Sequence, residues 1–249
     1  MSKTKNYLSG LATGYTVTLV TVFVTLWLTP FTLRFLDREE YAIFTLAGDM
    51  LMWLGLLDLG ISSGLNVQAA QLTGKPNQER LNRLASTAFF SQNFVSLSIL
   101  LIGLGLSFLF PRFFDIRPEL HPEAIQMMIL MVIGVAVNMF VQTFSSLLIA
   151  NQQIYMDNLI KLSLIVIRTV LTVVFLFLGW KMLSLAVANL VATLITSVLA
   201  IVRVRKLLPN LQIRRKWFSR DVLKETGTLG IWFSLGTLAG IVILNMDRI

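Results

Sequence analysis

The sequence has no cysteine and a single histidine among its 249 residues, and charged side chains make up only 14% of it. The first absence excludes disulfides and cysteine-ligated metals and leaves the redox compartment unreadable. The second leaves His121, between Leu120 and Pro122 in a connecting segment, to be expected as a solvent-exposed loop residue. The scarcity of charge decides the class. Soluble domains carry about 25% charged residues, so this chain lacks the material for a water-facing surface. No Gly-rich phosphate loop follows a strand, which argues against ATP hydrolysis within the chain. The cluster Asp115, Glu119, His121 and Glu123 in an external connection is interrupted by Pro118 and Pro122, and no metal site is expected of it.

What the sequence has instead is apolar length, with 55% hydrophobic residues. A transmembrane helix needs about 20 apolar residues to cross ~30 Å of hydrocarbon. Charge-free windows occupy 6–33, 84–111, 124–156, 182–202 and 226–246. Two more windows are nearly clean: 41–74 contains only Asp49 and Asp58, and 162–180 only Arg168. The pattern predicts an all-α integral membrane protein with seven transmembrane helices near 8–34, 41–72, 84–110, 124–149, 157–179, 182–203 and 223–247. The first apolar run is too long for a secretory signal, whose apolar region spans about 7–15 residues, so it counts as helix 1.

The net charge of +8 points to orientation rather than to nucleic acid. The N-terminus and the even-numbered connections hold fourteen Lys and Arg, including Lys75, Arg80, Arg83, Lys161 and the dense run from Arg203 to Lys224; the odd-numbered connections hold five. Basic residues collect on the cytoplasmic side, so the N-terminus is predicted to be cytoplasmic. The longest connection, about 204–222, is basic and carries Trp217 and Phe218. It is expected to lie at the headgroups, drawn there by anionic lipid.

Polar side chains within hydrocarbon are costly and usually face a protein interior or a water-filled path. On helix 1, Thr18, Thr21, Thr25, Thr29 and Thr32 recur at spacings of three and four, with Gly14 on the same side. They fall within an arc of roughly 80° and are expected to line a cavity, the alternative being bonding back to their own helix. Helix 2 carries Asp58, Ser62 and Asn66 as a second stripe, with Gly60 and Gly64 spaced for close helix packing. Helix 4 places Asn138, Gln142 and Ser145 on one face, for cavity lining or interhelical bonding. Arg168 is predicted to lie deep in the membrane, where it either pairs with Asp58 or offers its planar fork to a phosphate.

At residues 36–66 the chain resembles the polysaccharide transport and O-antigen translocase family of the multidrug/oligosaccharidyl-lipid/polysaccharide exporter superfamily. The matching residues are Leu36, Glu39, Glu40 and Tyr41, then Leu57-Asp58-Leu59-Gly60-Ile61. Asn151-Gln152-Gln153 and Asn245-Met246-Asp247-Arg248-Ile249 also look like family segments. The family often has glycine where Asp37 and Ala42 stand here. The resemblance implies two six-helix lobes around a central cavity that opens alternately to each side. Residues 1–203 would form the first lobe, 204–222 a basic cytoplasmic linker, and 223–249 the first helix of a truncated second lobe. It implies a flippase that moves an undecaprenyl-diphosphate-linked oligosaccharide across the bacterial inner membrane for surface polysaccharide such as lipopolysaccharide O-antigen. Such a protein would be no enzyme and would need no cofactor or metal. Its partners would be the lipid-linked substrate, membrane lipids and other polysaccharide assembly proteins, with no nucleic acid. Thr18, Thr21, Thr25, Thr29, Asp58, Asn66, Asn138 and Gln142 would line the sugar path, and Arg168 would attract the diphosphate. The competing readings are a cation-coupled multidrug antiporter, whose helix 1 usually carries acidic residues that are missing here, a membrane-bound polymerase or ligase, which would need a large external loop, and a non-transporting scaffold.

Overall fold

The computed structural model describes residues 3–55, 58, 60–71 and 77–245. Lys75, Leu57, Leu59 and the segment 246–249, all used in the sequence reading, lie outside the described residues. Among the described residues every long element is a helix: α1 (Lys3–Thr32), α2 (Arg38–Gly55), α3 (Ile61–Gln71), α4 (Gln78–Phe113), α5 (His121–Ala150), α6 (Ile154–Phe177), α7 (Leu183–Leu207) and α8 (Arg220–Asn245). Five stretches are long and apolar enough to cross a membrane: Leu8–Thr32, Gln78–Phe113, Pro118–Ala150, Ile154–Phe177 and Leu183–Leu207.

The helix expected over 41–72 is divided into α2 and α3. Gly60, immediately ahead of α3, has φ +69°, a conformation that costs glycine little and other residues much. Asp58 sits at this division. The start expected near 124 moves back to His121, because Pro122 falls in the first helical turn, where its missing N–H costs nothing. His121 is not a free loop residue, since its Nε2 lies 2.7 Å from the Ile116 carbonyl oxygen.

The connections between the helices meet at two ends. At one end Arg117 pairs with Glu39, and Lys181 Nζ lies 3.3 Å from Glu40 Oε1. The buried Glu40 also accepts the Asp37 N–H at 3.0 Å, the return half of a helix-capping arrangement. At the same end Trp27 stacks on Phe31, Phe35 lies tilted against Phe31, and Phe177 meets Phe35 edge-on; the amphipathic indole of Trp27 suits the membrane interface. At the other end residues 208–219 lie along the start of α4. There Asn82 Oδ1 accepts the Gln212 N–H at 3.0 Å, Ser86 Oγ accepts the Arg214 N–H at 3.2 Å, and Thr87 Oγ1 accepts the Ser219 N–H at 3.0 Å.

α5 is the hub, packed against α2, α3, α4, α6 and α7. Small residues allow this: Ala124 and Ala136 on α5 and Ala186, Ala188 and Ala192 on α7 are buried, and lipid supplies no hydrophobic drive of its own between helices. On α4, a Cβ on Gly103 would stand 2.7 Å from a Val132 methyl. α8 rests on α3 through the two predicted glycines. A Cβ on Gly60 would come within 2.2 Å of the Gly230 carbonyl oxygen, and one on Gly64 within 2.4 Å of the Thr226 oxygen.

Candidate functional site

Two cavities with polar side chains in their lining open along α5, α6 and α7, each about 270 Å³, one closed by α1 and α2 and the other by α3; they are named outer and inner after the orientation expected from the sequence. The outer one takes Thr25, Thr29 and Thr32 from α1, Tyr41 from α2, Arg168 and Thr172 from α6, and Asn189 from α7. Tyr41 Oη stands 3.4 Å from Thr29 Oγ1. α6 begins at Ile154, so Arg168 lies about 21 Å from that end and about 14 Å from the other at 1.5 Å per residue. That puts it in the half of the helix nearer the Glu39–Arg117 end rather than at the centre. Arg168 is half-buried, and among the described residues it has neither an ion pair nor a hydrogen bond. Among the described residues its surroundings are hydroxyls, an amide and apolar side chains, and no carboxylate lines the cavity.

The inner cavity is lined by Asn66 of α3, Asn138, Gln142 and Ser145 of α5, Asp157 and Lys161 of α6, and Thr193 and Ser197 of α7. Lys161 Nζ holds Asp157 Oδ2 at 2.7 Å. Asp157 is 1% exposed, and its Oδ1 and the Asn66 Oδ1 are both buried without a hydrogen-bond partner among the described residues. Lys161 and Arg168 are seven residues apart, two turns of one helix, so they share a face about 10.5 Å apart along the axis. Each cavity therefore has one cation on that face of α6.

The sequence-predicted residues divide three ways. Thr25, Thr29 and Arg168 meet in the outer cavity, and Asn66, Asn138 and Gln142 in the inner one. Thr18 and Thr21 are exposed and donate to the Gly14 and Val17 carbonyls of their own helix at 3.2 and 2.7 Å, the lipid-tolerant alternative for threonine. Asp58 lines neither cavity. Its carboxylate accepts Gln92 Nε2 and, at 3.3 Å, the Ser62 hydroxyl, so the Arg168–Asp58 pair considered from sequence does not form. Sequence reasoning passed over Tyr41, Asn189, Thr193, Ser197, Asp157 and Lys161. Asn189, Thr193 and Ser197 recur every fourth residue on α7, the same signal that marked helix 1.

The family model for "Polysaccharide biosynthesis protein" matches residues 7–249. A curated relative, the uncharacterized membrane protein EpsK of Bacillus subtilis strain 168, is 25% identical over 240 residues, covering 93% of this chain and 46% of that protein. Among solved structures, the outward-facing conformation of a multidrug resistance MATE family transporter of the MOP superfamily aligns at TM-score 0.77 and 18% identity, over 99% of this chain and 56% of that one. A MOP superfamily transporter from Pyrococcus furiosus, described as having a binding pocket of reverse polarity that suggests a different function, aligns at TM-score 0.76 and 18% identity, over 98% and 53% of the two chains. The chain spans about half the length of each of these proteins.

Proposed function

The chain belongs to the polysaccharide biosynthesis protein family, and from that premise we propose that it supplies one lobe of a flippase for lipid-linked oligosaccharide in a bacterial inner membrane. The observation that carries this reading is Arg168, a half-buried guanidinium with no ion pair or hydrogen bond among the described residues, in a hydroxyl-lined cavity of a multi-pass membrane protein. Arginine stays charged there, and its planar fork matches phosphate geometry in a way no other side chain does. The threonine, tyrosine and asparagine groups around it suit sugar hydroxyls. Each cavity falls just below the ~300–1,000 Å³ of ordinary small-molecule pockets, so an oligosaccharide needs space shared with further elements. A relative about twice as long as this chain supports that arrangement. Flipping moves a substrate without making or breaking a covalent bond, and no residue is assigned a catalytic role.

The fold likeness to MATE transporters favours a second reading, cation-coupled drug export. The outer cavity weighs against it, because an arginine without a neighbouring carboxylate repels cationic drugs.

The deciding experiment measures surface polysaccharide in a strain that depends on this protein. Arg168→Ala should insert normally but lower export about tenfold or more, the scale of a lost charged hydrogen bond of 1.5–3 kcal/mol. Arg168→Lys should keep part of the activity, since charge survives while the bidentate fork is lost. Full export by Arg168→Ala at wild-type abundance sinks the phosphate role. Loss of drug resistance with normal polysaccharide favours the antiporter.

A further inference from the structure

A third and larger concavity, about 620 Å³, lies outside both membrane cavities, where α7 ends and the connection to α8 begins. Its floor is apolar, made by Phe89, Phe144, Leu208, Leu211 and Ile213, and its rim carries Arg205 and Arg214. Both arginines are exposed, and among the described residues neither guanidinium has an ion pair or hydrogen bond. We propose that this groove holds one anionic phospholipid, its phosphate between Arg205 and Arg214 and its upper acyl chain on the phenylalanine floor.

Three observations support that occupant. The first is charge: residues 203–220 hold seven Lys and Arg and no Asp or Glu, and basic residues beside a helix end attract anionic lipid. A basic segment alone would recruit such lipids diffusely; the apolar floor beside two free arginines supplies a place for one to stay. The second is depth. The groove begins at Val204 and Leu208, where an apolar helix leaves the hydrocarbon, so phosphate and acyl chain both find their own environment there. The third is rigidity. The groove's connecting wall is stapled to α4 by Asn82, Ser86 and Thr87, and by Gln78 Nε2 donating to the Asn210 oxygen at 3.0 Å. A wall already ordered does not have to be ordered by the ligand. The inference is independent of the transport reading, because it concerns a different site and its readout is lipid retention.

Native mass spectrometry of the detergent-purified chain, with phosphatidylglycerol or phosphatidylcholine of matched acyl chains, tests it. One phosphatidylglycerol should be retained with about tenfold preference, and the double variant R205Q/R214Q should reduce that retention about tenfold. Arg112→Gln, at the opposite end of α4, should leave it unchanged. Ile213→Ser, which spoils the floor without touching charge, should also weaken retention, so the result does not depend on one variant's folding. Equal retention of the two lipids, an unaffected double variant, or displacement of the lipid by millimolar inorganic phosphate alone would each overturn the proposal.

Discussion

Glu39, partly exposed, and Arg117, exposed, come from distant parts of the chain, and their pairing fixes the direction in which each titrates. Arg117 lowers the Glu39 carboxyl chiefly by hydrogen bonding; burial opposes this next in size, and the arginine's charge adds to the lowering after it. Lys181 is raised by its hydrogen bond to Glu40 and by that carboxylate's charge. A lowered acid stabilises the fold above its unfolded value and loses that contribution as pH falls through the folded one; a raised lysine contributes below its unfolded value and loses it as pH climbs past the folded one. The Glu39–Arg117 pair faces solvent, so its effect is small and screened by salt, whereas Lys181 reaches from solvent to the buried Glu40. At low ionic strength the melting temperature should fall between about pH 5 and pH 3, through the carboxylate range, and Glu39→Gln should flatten part of that fall. Strong salt should merge the two curves. Identical slopes at low salt would mean the pair adds nothing. At this scale the sequence was half legible: spacing picked out Thr25 and Thr29, and the lone charge in an apolar span picked out Arg168, but the threonine stripe also collected Thr18 and Thr21, because periodicity gives a face and not what the face meets.

At the scale of elements, the spans were readable because each needs a run of apolar residues that nothing else in a protein requires. The division of the second span was not, since it depends on α8 pressing against Gly60 from about 170 residues away. The strap along α4 was hidden for the same reason: Asn82, Ser86 and Thr87 read as ordinary polar residues until their partners, about 130 residues later, are known. Gly60 makes the dependence measurable. Gly60→Ala places a methyl into the Gly230 carbonyl and forces alanine to φ +69°, which should cost well over ~1 kcal/mol and lower the detergent melting temperature by several degrees. Gly48→Ala, on α2 with nothing within 4 Å of the new methyl, should be neutral or stabilising by ~0.5–1 kcal/mol. Equal melting temperatures for the two would show that the α3–α8 contact is not as close as described.

For the whole molecule, the fourteen-to-five division of basic residues predicts which end faces the cytoplasm, and the absence of cysteine makes the test clean. Single cysteines at Arg215 and at Arg117 should react with an impermeant thiol reagent only from the cytoplasmic and only from the external side, respectively. The reverse pattern would invert the map. In the predicted orientation, the two-turn spacing of Lys161 and Arg168 acquires an electrical meaning. The step of about 10.5 Å between them crosses roughly a third of a 30 Å hydrocarbon layer. An inside-negative potential favours the outer position by about 0.8 kcal/mol for each negative charge carried, per 100 mV. A headgroup with two negative charges handed from the lysine to the arginine would therefore fall in electrical energy, and the resting voltage of the cell would bias that step outward.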